Sequence, residues 1–176
     1  SPGGVDRGST AGAKHRYSGR MNQGSLVRRF AHLSLPDGRR AFAVLEGGAA
    51  RLLSAAPWLG GEPTGEVVEG IDEEGRGAGA KRLVPVTPSK ILCVGRNYKA
   101  HAQELGHDVP PEPLLFSKPP SSLLDPDGTI LLPPASIASR IDHEAELAVV
   151  VGKRLRRATL EEAEAAIFGV TALGDI

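Results

Sequence analysis

Asp142-His143-Glu144-Ala145-Glu146 runs directly into Leu147-Ala148-Val149-Val150-Val151-Gly152, so a cluster of carboxylates is joined to an apolar run. The pattern predicts a strand. Side chains alternate across a strand, which puts Asp142, Glu144 and Glu146 on one face and Ala145, Leu147 and Val149 on the other. Anions stacked on one face of a largely buried strand repel each other, and desolvation strengthens the repulsion. A divalent cation is the simplest compensation. Oxygen ligands favour Mg²⁺ or Mn²⁺, and also suit Ca²⁺, over zinc. The alternative is an edge strand with a solvated acidic face.

A second acidic position closes the sequence, in Phe168-Gly169-Val170-Thr171-Ala172-Leu173-Gly174-Asp175-Ile176. Thr159-Leu160-Glu161-Glu162 reads as a capping box opening an alanine-rich helix to about Ile167, with Gly169 as its stop. Strand, helix and strand in that order could return the second strand beside the first and bring Asp175 near Glu144 and Glu146. Three carboxylates would half-fill an octahedral shell and leave room for water and a chelating substrate.

Upstream, Ile91–Val94 reads as a strand, and Asn97 as the cap of a helix from Tyr98 to about Leu105 that Gly106 ends. His101 and Glu104, three apart, would share one face of that helix. A carboxylate beside an imidazole orients it and raises its basicity, as a general base requires. Such a pair is also a common surface contact. Arg96 and Lys118 could each hold the carboxylate of an acidic substrate, Arg96 in a bidentate manner. They could equally be surface cations or partners of the acidic strand.

Five segments in this order resemble the fumarylacetoacetate hydrolase family, in its acylpyruvate hydrolase-like branch. They are Cys93-Val94-Gly95-Arg96-Asn97-Tyr98 with His101 and Glu104, Phe116-Ser117-Lys118-Pro119-Pro120-Ser121-Ser122, Ile130-Leu131-Leu132-Pro133, Glu144-Ala145-Glu146-Leu147, and Leu173-Gly174-Asp175-Ile176. The resemblance implies Glu144, Glu146 and Asp175 as metal ligands, and His101 and Glu104 as an acid–base pair on a lid helix. It implies a divalent-metal hydrolase that cleaves a C–C bond of acylpyruvate-like β-diketo acids. Decarboxylation or isomerisation of related 2-oxo acids are alternatives, as is a non-catalytic binding or assembly module. Two positions depart from the family pattern: His143 stands where tyrosine is common, and Gly174 replaces the usual asparagine. Family members continue past the metal aspartate, so residues 81–176 are expected to be the N-terminal part of the catalytic domain, inactive alone. A homodimer is expected for the full-length protein.

The elements that must position these residues read as mixed β with a few short helices: the N-terminal part of a fumarylacetoacetate hydrolase-type β-roll, preceded by a small antiparallel β region. Residues 1–20 are rich in Gly, Ser, Arg and Lys without apolar periodicity and read as a disordered extension before Met21, the sole methionine. Residues 21–80 form the small β region and linker. Within it, Val27–Leu35 and Ala41–Glu46 flank the turn Pro36-Asp37-Gly38-Arg39, and Gly47-Gly48 leads to Ala49–Leu53. Residues 62–80 read as a loop, and Gly75-Arg76-Gly77-Ala78-Gly79 lacks the strand and helix that a phosphate-binding loop needs.

Lys and Arg number 21 against 21 Asp and Glu, which argues against a nucleic-acid surface. Apolar runs are too short to span a bilayer as helices. The single cysteine, Cys93, cannot build a disulfide framework and is expected as a small buried hydrophobe in a cytoplasmic protein. The expected partner is a small 2-oxo acid. Aromatic residues are few, so the core must rest on Leu, Val, Ile and Ala.

Overall fold

A computed structural model describes residues 27–98 and 110–176. Five strands form an antiparallel sheet in the order β4-β3-β2-β1-β5: β1 (Arg29–Ser34), β2 (Arg40–Glu46), β3 (Ala49–Leu53), β4 (Pro63–Glu69) and β5 (Lys81–Arg82). The expected β1, β2 and β3 are present. The β1–β2 turn is closed by the Gly38 amide donating to the Leu35 carbonyl at 2.9 Å, and Gly38 takes φ 86°, a conformation that a side chain would oppose.

Period-two alternation gives this sheet two different faces. Leu33, Ala43, Leu45, Ala50 and Leu52 are buried on one, with Ile71 closing over them. Phe30, His32 and Phe42 lie on the other. There His32 stacks on its cross-strand neighbour Phe42 at 4.3 Å, and Trp58 meets Phe42 edge-on at 5.2 Å. The aliphatic half of the core is thus as composition requires, while Phe30, His32, Phe42 and Trp58 gather on the opposite face. Leu33 is 0% exposed, so Leu33→Ala is expected to cost roughly 2–5 kcal/mol of unfolding free energy, measured by urea denaturation.

The segment read as a loop over 62–80 is more ordered than expected. It contains β4, which pairs with β3, and it buries Ile71. The strand is hard to read because it is an edge strand, with Val68 its only partly buried residue. Gly75-Arg76-Gly77-Ala78-Gly79 is a compact turn. A Cβ on Gly77 would lie 2.1 Å from the Gly70 carbonyl oxygen, which explains that glycine without a phosphate.

Two antiparallel ribbons follow. One pairs β6 (Ile91–Gly95) with β7 (Leu114–Lys118), and the other pairs β8 (Glu144–Val151) with β9 (Ile167–Asp175). The helix α1 (Leu160–Glu164) lies between β8 and β9 and has the expected capping box, with Thr159 and Glu162 each bonding the other's amide. It is shorter than expected. It ends at Ala165, and Gly169, expected as the helix stop, lies inside β9. Phe168 accounts for the early exit: its ring packs against Phe30 at 5.4 Å and Trp58 at 5.9 Å, docking β9 on the aromatic face of the first sheet. That tertiary contact outweighs the helical preference of the alanines.

The linker between the first sheet and the ribbons is tied by the turn at Asp125-Pro126-Asp127-Gly128. The Asp125 carboxylate accepts the Val84 amide at 2.7 Å, and Asp127 pairs with Arg82 at 2.6 Å. The Arg82 hydrogen bond holds the Asp127 carboxyl below its ordinary range. These acids anchor chain segments.

Candidate functional site

Strand β8 begins at Glu144, so Asp142 does not share its acidic face. Asp142 lies in the approach to the strand and pairs with Arg140 at 2.9 Å. The antiparallel register then decides which carboxylates meet. Glu144 stands directly opposite Asp175, and Glu146 opposite Leu173. Directly paired residues lie on one face of a ribbon, with Cβ atoms about 4.5–5.5 Å apart. Glu144, Glu146 and Asp175 therefore occupy the same face at one end of the ribbon, and α1 is the connection that allows it.

Gly174 pairs with Ala145 on the opposite face, and the strand stays regular through it to Asp175. A Cβ there would meet nothing within 4 Å, so the missing side chain does not displace the aspartate.

The two faces of the ribbon differ in a way the sequence does not convey. The acidic face carries the partly buried positions Glu146, Ala148, Val150, Thr171, Leu173 and Asp175. The apolar face is the open one, with Leu147 62% and Val170 64% exposed. The first ribbon is similar, with Leu92 66% and Leu115 64% exposed.

Lys118 lies at the end of β7, and its ammonium is in direct contact with the Asp175 carboxylate. Both side chains are mostly buried, 30% and 22% exposed respectively. A further polar link between the ribbons is the Leu147 amide, which donates to the Tyr98 hydroxyl at 3.3 Å. Sequence reasoning gave Tyr98 no such role, because nothing local to either residue announces a contact between ribbons. Arg96 follows β6 with φ 55° and is exposed. His101 and Glu104 lie outside the described residues. Cys93 is partly rather than fully buried, facing Phe116 across the ribbon, because a two-stranded ribbon covers only part of either face.

The three carboxylates fit a hard divalent cation by donor chemistry and by register. Their side chains do not converge into a cage: among the described residues, no group of three His, Cys, Asp or Glu side chains is gathered closely enough to hold a metal ion. The cation now beside Asp175 is Lys118. Among the described residues, no helix is long and apolar enough to cross a membrane.

Comparison with known proteins gives this arrangement a family. The family model "Fumarylacetoacetate (FAA) hydrolase C-terminal" matches residues 90–176, and "Rv2993c-like, N-terminal" matches residues 28–72. An uncharacterized protein of Pyrococcus abyssi is 47% identical over 91 residues, 52% of this chain and 40% of that protein. The mitochondrial oxaloacetate tautomerase FAHD2A of Bos taurus is 44% identical over 95 residues, 53% of this chain and 30% of that protein. Among solved structures, the 5-carboxymethyl-2-hydroxymuconate delta-isomerase of Mycobacterium smegmatis matches with a TM-score of 0.63 and 31% identity, over 85% of this chain and 54% of that one. The chain thus spans less than half the length of these two curated relatives. With both ribbons and the carboxylate face inside the matched segment, residues 90–176 belong to the fumarylacetoacetate hydrolase family.

Proposed function

We propose that the protein is a divalent-metal-dependent enzyme that cleaves a C–C bond in acylpyruvate-like β-diketo acids. The observation that carries the reading is the β8–β9 register, which sets Glu144 and Asp175 opposite each other with Glu146 on the same face. Glu144, Glu146 and Asp175 would hold Mg²⁺ or Mn²⁺, with Ca²⁺ as a further candidate. Bound there, the cation would stabilise negative charge developing on the substrate's 2-oxo oxygen.

The protein's own groups supply the rest. His101, oriented by Glu104, takes a proton from water as the water oxygen adds to the distal carbonyl carbon. The bond from that carbon to the central methylene then breaks. Its electron pair passes into the enolate of pyruvate, and the acyl group departs as a carboxylic acid. Protonation of the methylene carbon completes pyruvate. Arg96 and Lys118 are the candidates to hold the substrate carboxylate, Arg96 by a two-pronged contact. The same reading takes the protein as a cytoplasmic homodimer acting on a small 2-oxo acid, with neither nucleic acid nor membrane as partner.

A second reading is keto–enol isomerisation of a 2-oxo diacid, supported by relatives named oxaloacetate tautomerase and delta-isomerase. It needs the same enolate and the same base, without the water. The two separate in one assay of the intact protein with Mg²⁺. Acetylpyruvate turned over to acetate and pyruvate supports the hydrolase. Accelerated oxaloacetate tautomerisation with acetylpyruvate untouched would replace it with the isomerase.

A further inference from the structure

We propose that Lys118 is a built-in counter-cation of the carboxylate site, holding Asp175 when no metal is bound and giving way when one arrives. The inference rests on the metal reading above. Glu146 and Asp175 are partly buried on the face they share with the exposed Glu144, and carboxylates so withdrawn from water favour a nearby positive charge whether or not a metal is available. Lys118 supplies it from a different ribbon: its ammonium touches Asp175, and both groups are largely withdrawn from water.

The choice of residue suits the task. An ammonium on a four-carbon stem is a compact charge that can leave by rotating its own side chain, whereas a guanidinium would lock the carboxylate in a two-pronged pair. A metal approaching Asp175 must therefore displace Lys118. Its apparent affinity is the intrinsic affinity multiplied by the fraction of time that the carboxylate is released. The displaced ammonium stays beside the site, where it can meet the carboxylate of the substrate. Lys118 so acts through Asp175 as a positioning residue. It also sets an order, metal first and acidic substrate second.

The test is Mn²⁺ titration of the intact protein by calorimetry, with melting temperatures measured in chelator. Lys118→Met keeps the aliphatic stem and loses the charge. It is expected to bind Mn²⁺ about tenfold more tightly, within the usual range for coupled sites, and to melt at lower temperature when metal-free. Lys118→Arg is expected to bind Mn²⁺ no more tightly than wild type and to keep the metal-free stability, because the charge is retained. A purely structural lysine would lower stability without tightening the metal. Equal or weaker Mn²⁺ binding in Lys118→Met overturns the proposal. Glu146→Gln tells the two failures apart. If wild-type uptake is sensitive to Glu146→Gln while Lys118→Met binds no tighter, only the role of Lys118 is lost. If uptake is absent, or indifferent to Glu146, the metal assignment fails and this inference with it.

Discussion

Glu146→Gln is expected to remove the stabilisation of this protein by divalent metal. Glu146 is partly buried on the face of β8 that it shares with Glu144 and with Asp175 of β9, and the substitution keeps its volume while deleting the charge of one proposed ligand. A ligand that binds only the folded protein stabilises it by mass action, about 2.7 kcal/mol at a hundredfold excess over Kd. Wild type should therefore melt at clearly higher temperature in Mg²⁺ or Mn²⁺ than in chelator, and Glu146→Gln should melt alike in both. Activity should fall with it, by roughly 10³-fold or more if the cation contributes several kcal/mol to the transition state. Asp175→Asn should behave similarly, although it also breaks the Lys118 ion pair and so carries an additional stability cost. A full metal-dependent shift surviving in Glu146→Gln would remove this residue from the ligand set.

His101→Ala is expected to give the converse pattern. A general base contributes roughly 10²–10⁴-fold to turnover, so kcat should fall by that amount. Mn²⁺ affinity and the metal-dependent rise in melting temperature should stay near wild type, because the proposed ligand set does not include the imidazole. Glu104→Gln should cost less, since the proposed mechanism gives it the orienting of the histidine and not the proton. Measuring kcat and Mn²⁺ affinity on the same preparations separates the two classes of residue. Unchanged turnover in His101→Ala would exclude it as the base and move the search to other groups facing the carboxylates.

Much of the local structure was legible because local forces set it. The alternation in Leu33, Ala43, Leu45, Ala50 and Leu52 fixes which face of the first sheet is buried. The turn at Pro36-Asp37-Gly38 and the capping box at Thr159 and Glu162 also form as their sequences predict. The site was partly legible for the same reason. Carboxylates two apart on a strand must share a face, and a strand–helix–strand order can bring Asp175 back beside them. What the sequence alone determined is a partial inventory: the strands of the first hairpin and of β3, β6 and β8, the capping box that opens α1, the alternating Glu144 and Glu146, and the motifs that mark the family.

Tertiary structure decided the rest, because the deciding contacts join residues far apart in the chain. Asp142 drops out of the acidic face since pairing with β9 starts at Glu144. Strand β4 exists because β3 offers it an edge, although its own residues bury almost nothing. Helix α1 stops early because Phe168 is taken by Phe30 and Trp58, more than a hundred positions upstream. Lys118 illustrates the limit most clearly. Its sequence neighbours are compatible with a surface cation, a substrate clamp or a partner of the acidic strand. Only the approach of β7 to the end of β9 sets its ammonium on Asp175, since a long-range ion pair leaves no local pattern to read.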